Sequence, residues 1–325
     1  QLLTDGSLRA VVLNSGGANA CTGPEGCADT HHTAEAAAEA LGIGPIDVAV
    51  CSTGLIGERL DMPRLLAGLR QALVVANDAG GEDAARAIMT TDTVVKTSTF
   101  EAGYRIGGMA KGAGMLAPGM ATMLSVITTD ALIDAHTLDR MLRACTATTF
   151  DRVDADGCMS TNDTVILMAN GASGLVADEA FEKGLHHVCA DLARQLPADA
   201  EGATKLIDVR VVGAADNRDA EVAARAVARS ALFKCAMFGE DPNWGRVLSA
   251  VGTTDAAFDP LRIDVSINGV MVCRDSGPGE PREGVDLTAR EVEVIIDLHA
   301  GDATATIVTT DLTTDYVHEN SAYST

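Results

Sequence analysis

The chain is poor in aromatic residues. Of its 325 residues six are Phe, three are Tyr and one is Trp, 3% in all. Its core must therefore rest on Val, Leu, Ile, Ala and Met. Lysine is scarce too: only five of the 24 basic residues are Lys, which draws notice to Lys111 and Lys205. Positive charge as a whole is outnumbered, and the formal net charge is −22. That balance argues against a nucleic-acid partner and against an anionic membrane surface, and fits a solvated acidic exterior. No apolar run is long enough to span a bilayer. The opening residues Gln1 to Asp5 carry neither a basic stretch nor an apolar core, so a secretory signal is not expected there. Cytoplasmic placement is the corresponding expectation. The first residue is not Met, so a start inside a longer gene product is expected.

Metal and redox signatures are missing as well. The eight cysteines, at 21, 27, 51, 145, 158, 189, 235 and 273, form no Cys-x-x-Cys pair. In a long chain without an export signal most of them read as reduced, buried small hydrophobes. Cys145, Cys189 and Cys235 in particular lie in helix-like apolar runs. Pairing or metal binding by Cys21 and Cys27 is the lesser alternative. His31-His32 and His186-His187 are adjacent pairs, and neighbours on a helix do not share a face, so no metal is expected. No dinucleotide fingerprint occurs.

What is present is a long apolar chain, 47% hydrophobic and 22% charged, sufficient for one large domain or two. Ala10–Leu13 and Val48–Ser52 read as buried strands, and Thr33–Leu41 as a helix stopped by Gly42. Met62–Ala76 and Asp83–Met89 are further helix candidates. Strand alternation follows residue 122 as far as Thr128. Leu138, Met141, Leu142 and Cys145 then fall at helical spacing behind Asp134 as N-cap. Phe181, Leu185, Val188, Leu192 and Leu196 make another helical stripe, ended by Pro197. Beyond residue 200, Ile207–Val212 reads as a strand and Glu221–Phe238 as one long helix. Asn268-Gly269 between Ile263–Ile267 and Val270–Cys273 is a strong hairpin signal. Gly301-Asp302 between Val292–Leu298 and Ala303–Thr309 reads as a second hairpin. Arg274–Asp286 reads as a surface loop. The expected fold is α/β (α+β): a main unit over 1–200 and a smaller α/β unit over 201–325.

Several motifs could carry chemistry. Cys51-Ser52-Thr53-Gly54 follows a strand, where a glycine lets the backbone approach a ligand. Met89-Thr90-Thr91-Asp92-Thr93 alone reads as a turn or cap motif. Lys111-Gly112-Ala113-Gly114 is no phosphate loop, because its lysine precedes the glycines; the lysine suits a substrate carboxylate. Ser160-Thr161-Asn162-Asp163-Thr164, with Asp154 and Asp156 before it, lacks the closing Glu of a calcium loop and reads as a polar turn. Asp199 to Lys205 and Asp241-Pro242-Asn243-Trp244-Gly245-Arg246 are two more clusters. The chain closes on Glu319-Asn320-Ser321-Ala322-Tyr323-Ser324-Thr325, a polar tail able either to fray or to fold into a site. Between the glycine loop and the following strand stands Thr122. An internal threonine is a poor nucleophile, but one freed at its N-terminus holds nucleophile and base in one residue.

Taken in order, the motifs STG, MTTDT, AKGAGMLAP, MATML, STNDT, DAEGATK, FGEDPNWGR and ENSAYST resemble one family over essentially the whole chain. It is the ornithine acetyltransferases of arginine biosynthesis, also called bifunctional glutamate N-acetyltransferases (the ArgJ family). The resemblance implies a layered αββα-type sandwich of the N-terminal-nucleophile kind. It implies self-cleavage between Ala121 and Thr122, giving an α chain of residues 1–121 and a β chain from 122, and an α2β2 heterotetramer. It implies Thr122 as nucleophile and Thr53 and Gly54 as oxyanion hole. Thr90, Lys111, Thr122, Glu201, Asn320 and Thr325 would contact substrate. The substrates would be N2-acetyl-L-ornithine and L-glutamate, with no cofactor, and acetyl-CoA is left open as a second acetyl donor. Family members carry an upstream segment that this chain lacks. Two other readings compete: a self-processed aminopeptidase or amidase of the same fold, and an amino-acid-binding protein without chemistry.

Overall fold

The computed structural model describes residues 6–117 and 123–322; Ala121, Thr122 and Thr325 lie outside the described residues. Strand β1 (Ala10–Gly17), helix α1 (Gly23–Leu41) and strand β2 (Val48–Leu55) open the chain, and β1 pairs with β2 in parallel. Helix α1 begins at Gly23 rather than at the predicted Thr33, because Pro24 in its first turn already presets the helical φ. Its end is as predicted. Gly42 takes φ +67°, and its amide returns to the carbonyls of Ala38 and Glu39. Both strands run further than predicted, so the Ser-Thr-Gly motif is the end of β2 itself. Helices α2 (Met62–Val75) and α3 (Gly81–Ala87) follow.

Next come β3 (Lys96–Glu101), β4 (Arg105–Lys111), β5 (Leu124–Thr129), α4 (Ala135–Thr146), β6 (Thr164–Ala169) and α5 (Glu179–Ala198). The four strands form one sheet in the order β3-β4-β5-β6. Strand β5 is antiparallel to β4 and parallel to β6. Asp134 caps α4 as expected, its carboxylate accepting the Thr137 amide. The predicted stripe Phe181, Leu185, Val188, Leu192 and Leu196 lies buried in a cluster with Ile106 and Ile127 of the sheet. Pro197 sits inside the last turn of α5 instead of ending it.

The rest of the chain is β7 (Leu206–Ala214), α6 (Asn217–Ala228), α7 (Ala231–Phe238), α8 (Trp244–Val251), β8 (Asp264–Ile267), β9 (Val270–Arg274), β10 (Gly277–Pro278), β11 (Glu291–Asp297), β12 (Ala303–Thr310) and α9 (Thr314–Ala322). Its sheet runs β10-β9-β8-β11-β7-β12. Two expectations fail here. The helix predicted over Glu221–Phe238 is two helices, because the Ser230 hydroxyl caps a new start by accepting the Phe233 amide. The predicted hairpin at Gly301-Asp302 does not form: β11 and β12 lie on either side of β7, parallel and antiparallel to it. The Asn268-Gly269 hairpin does form, with φ of +46° and +83° at its two turn residues. The fold is mixed α/β with several sheets.

A seam joins the two larger sheets. Val153 bridges to Val308 of β12. The Asp154 carboxylate, fully buried, accepts from Arg225 Nη1 at 3.1 Å and Arg229 Nε at 2.7 Å. The Lys234 ammonium donates to the Ala155 carbonyl. All eight cysteines are free; Cys51, Cys145, Cys189 and Cys273 are buried, whereas Cys235 is exposed on α7, against expectation.

Candidate active site

Thr53 and Gly54 stand at the end of β2, where Gly16 of β1 is paired with Gly54. Gly54 has φ +125°, and a Cβ there would meet the Gly16 carbonyl carbon at 2.5 Å. Only glycine fits this crossing of two backbones. Lys111 ends β4, buried to 1% exposure. Its ammonium donates to Thr90 Oγ1 at 2.9 Å and to Thr53 Oγ1 at 3.1 Å. Three of the candidate residues, from three separate stretches of chain, thus meet at one buried cation. Burial is the main influence on Lys111 and pushes its pKa down; Asp92, Asp163 and Glu201 pull the other way, and Lys96 adds to the lowering.

Asp92 holds this centre together. Its carboxylate accepts the Thr90 amide at 3.1 Å, the Gly112 amide at 2.6 Å and Lys96 Nζ at 2.7 Å. Lys96 in turn reaches Asp199 Oδ2 at 2.6 Å, and Asp199 also accepts the Thr93 amide. Burial pushes the Asp92 carboxyl up, but the charge of Lys96, the Gly112 amide and Lys111 outweigh it and hold it below its usual value. The MTTDT motif is therefore more than a turn: its aspartate ties the Thr90 loop to the end of β4.

Glu201 is buried beside the same loop. Its amide donates to the Ala113 carbonyl at 3.0 Å, and its carboxylate oxygens lie about 3 Å from where a Gly114 Cβ would stand. Next to it, Gly202 at φ +64° lies directly under α9: a Cβ would come within 2.2 Å of the Tyr316 nitrogen. The first turn of α9 therefore packs against Gly202 beside Glu201, whereas residues 319–322 at its end are exposed. Asn320 is exposed on α9 and donates to the Tyr316 carbonyl at 3.0 Å, so it is not drawn into the Lys111 centre. The Tyr316 hydroxyl faces Asp156, whose Oδ2 accepts the Leu116 amide at 2.7 Å. The start of α9 thereby stands next to the group that holds Leu116, in the loop before residue 118.

Asp163 is the other group the sequence left as a polar turn. Its Oδ1 accepts the Met123 amide at 2.9 Å. Its Oδ2 is buried and has no hydrogen-bond partner among the described residues. Burial pushes the carboxyl up to about 7, against the Met123 and Ser160 amides and Lys111. Lys205, by contrast, is not part of the site: its ammonium is spent on the carbonyls of Thr288 and Ala289, at 3.4 and 3.2 Å. Asn243 of the Trp-containing motif caps α8. Among the described residues no cluster of His, Cys, Asp or Glu is placed to hold a metal. None of the described helices is long and apolar enough to cross a membrane.

Fold and centre together define a mixed α/β protein whose chemistry-bearing residues converge on a buried lysine between two threonine hydroxyls. The chain belongs to the ArgJ family, whose model matches residues 1–325. A bifunctional ArgJ protein of arginine biosynthesis from Streptomyces coelicolor is 62% identical over 326 residues, covering 100% of this chain and 85% of the relative. One from Thermobifida fusca is 62% identical over 327 residues with the same coverage. The crystal structure of the ArgJ bifunctional protein from Bacillus halodurans matches with a TM-score of 0.59 at 38% identity, over 61% of this chain and 98% of that one.

Proposed function

We propose that this chain moves an acetyl group from N2-acetyl-L-ornithine to L-glutamate, through an acetyl ester on Thr122. As an ArgJ protein it is an acyltransferase of arginine biosynthesis. The observation that carries the finer reading is the buried Lys111, joined at once to Thr53 and Thr90. A cation so enclosed suits a substrate carboxylate, because charge-assisted hydrogen bonds strengthen where water is excluded.

In this reading the Ala121–Thr122 bond is cut first, and the new α-amine of Thr122, with an ordinary pKa of ~8, serves as its base. The Thr122 oxygen attacks the acetyl carbonyl, the carbon–nitrogen bond breaks, and the amine of ornithine leaves with the proton. Thr53 and Gly54 hold the oxyanion, an interaction worth roughly 3 kcal/mol per donor in such sites. The α-amine of glutamate then attacks the ester carbonyl, the bond to the Thr122 oxygen breaks, and that oxygen takes up the proton the amine loses. Lys111 takes the α-carboxylate and Glu201 the side-chain ammonium of ornithine. Thr90 lines the same end. No cofactor is required. Acetyl-CoA is a second acetyl donor, in keeping with relatives named bifunctional. The cut chains, divided into units at 1–200 and 201–325, remain together as an α2β2 assembly in the cytoplasm.

Intact mass spectrometry tests the cleavage: two chains, the second starting at Thr122, are expected, and Thr122→Ala should stay whole and inactive. Release of ornithine from acetylornithine should depend on glutamate in ping-pong fashion. Release that ignores glutamate would identify a hydrolase instead. Active uncut protein would overturn the reading.

A further inference from the structure

Two buried lysines share one end of a sheet, and their partners differ in kind. Lys96 opens β3 opposite Ala110, the residue before Lys111. Its side chain has no exposed surface and serves two carboxylates, Asp92 Oδ1 at 2.7 Å and Asp199 Oδ2 at 2.6 Å. Lys111 has only neutral partners, the hydroxyls of Thr53 and Thr90, and forms no ion pair among the described residues. Yet a carboxylate stands close by. Asp92 holds the Thr90 amide with Oδ2 and the Gly112 amide with Oδ1, so it is fastened to a partner of Lys111 and to the residue that follows Lys111. Of the charges that act on Lys111, that of Asp92 is the largest; Asp163, Glu201 and Lys96 act more weakly. An ammonium has three N–H groups, and the two hydroxyls engage two of them. A carboxylate free to turn would take the third. Lys96 prevents this by occupying Asp92 Oδ1. It is itself pinned by Asp199, whose Oδ2 also accepts the amides of Thr93 at 2.9 Å and Val94 at 3.4 Å.

We propose that Lys96 is a positioning residue of the active site: it keeps Asp92 from pairing with Lys111 and so leaves the Lys111 ammonium open to a substrate carboxylate. This rests on the reading of Lys111 as the carboxylate site. Lys96 acts through Asp92 and touches no substrate. Without Lys96, Asp92 is a buried anion that has lost its bonded cation, and Lys111 is the other cation that acts on it. Water is scarce there, so the two would pair. That internal pair would compete with the substrate carboxylate for the same N–H. The arrangement thus selects for acetyl donors that carry a carboxylate, and the selection is set by a lysine outside the contact.

The test compares two acetyl donors on the purified enzyme: N2-acetyl-L-ornithine and N-acetyl-1,4-diaminobutane, the same molecule without its carboxylate. The readout is the ratio of their kcat/KM values, which a general loss of structure does not move. Lys111→Met should lower the ratio at least about tenfold, as loss of a charge-assisted contact predicts. A wild-type ratio in Lys111→Met overturns the carboxylate reading of Lys111 and this proposal with it. Lys96→Met should lower the ratio about tenfold as well. If Lys111→Met lowers it and folded Lys96→Met does not, only the role of Lys96 falls. Because Lys96→Met leaves a buried carboxylate without its cation, the double variant Lys96→Met/Asp92→Asn guards against loss of folding. It removes the rival carboxylate together with the lysine, and should show a ratio within about threefold of wild type, whatever its absolute rate. A double variant whose ratio falls about tenfold would mean that Lys96 draws the substrate by its own charge, and would overturn the proposal.

Discussion

Lys111 and Lys96 show how a single residue is read from sequence and where that reading stops. Both are rare lysines, and both are buried. Lys111 was legible because it opens a glycine motif; Lys96 was not, because only one of its two partners, Asp92, is near in sequence, and the other, Asp199, lies 103 positions away. No local pattern announces such a pair. Asp92 and Asp163 were misread as turn residues because the amides they also hold, of Gly112 and Met123, lie 20 and 40 positions away. Replacing Lys111 by Met should lower kcat/KM at least about tenfold, mostly through KM, since a charge-assisted contact is worth roughly 1.5–3 kcal/mol. Because burial lowers the pKa of Lys111 below 10.5, activity that needs its charge should fall on the alkaline side earlier than for an exposed lysine. A pH profile of KM measures this. Asp163 gives a stability prediction. Its carboxyl is raised from 3.8 to about 7, so the folded state binds the proton more tightly than the unfolded one. Stability is therefore lost as pH rises from about 4 through about 7. In a Thr122→Ala background, where neither protein is cut, Asp163→Asn should melt a few degrees higher near pH 8, an advantage that shrinks towards about pH 5.

At the scale of elements, local chemistry was read correctly and distant insertion was not. Asn268-Gly269 formed its hairpin because a turn with two positive φ angles is written in its own two residues. Gly301-Asp302 resembles a turn equally well. Yet the amides of Ala300 and Gly301 bond to the Gly213 carbonyl at 2.6 and 2.9 Å, and β7 takes the place between the strands. A strand from so far back leaves no trace in the sequence beside that turn. The end of β2 is more constrained. Adding the methyl of alanine at Gly54 would force it into the Gly16–Gly17 backbone of β1. Gly54→Ala should lower the melting temperature by several degrees and abolish activity, whereas Gly57→Ala, with nothing within 4 Å of its added carbon, should cost less. Gly202→Ala should displace α9 from the site, read as faster proteolysis of the tail with little change in global melting.

The whole molecule is stitched by buried charge. Asp154 has no exposed surface and serves both Arg225 and Arg229. Asp154→Ala leaves those guanidinium groups without their shared partner and should cost about 3–5 kcal/mol in urea unfolding, with the two larger sheets melting separately. A second consequence lies in the ladder between β4 and β5, which runs from Ile106 opposite Thr129 to Lys111 opposite Leu124. The proposed cut falls in the connection between these two strands. It would turn a hairpin within one polypeptide into a sheet shared by two. Dilution would not separate them, because each lacks a strand of its own sheet without the other. Denaturation would, and the return from it would become a bimolecular event: refolding yield would depend on protein concentration after the cut and be independent of it before.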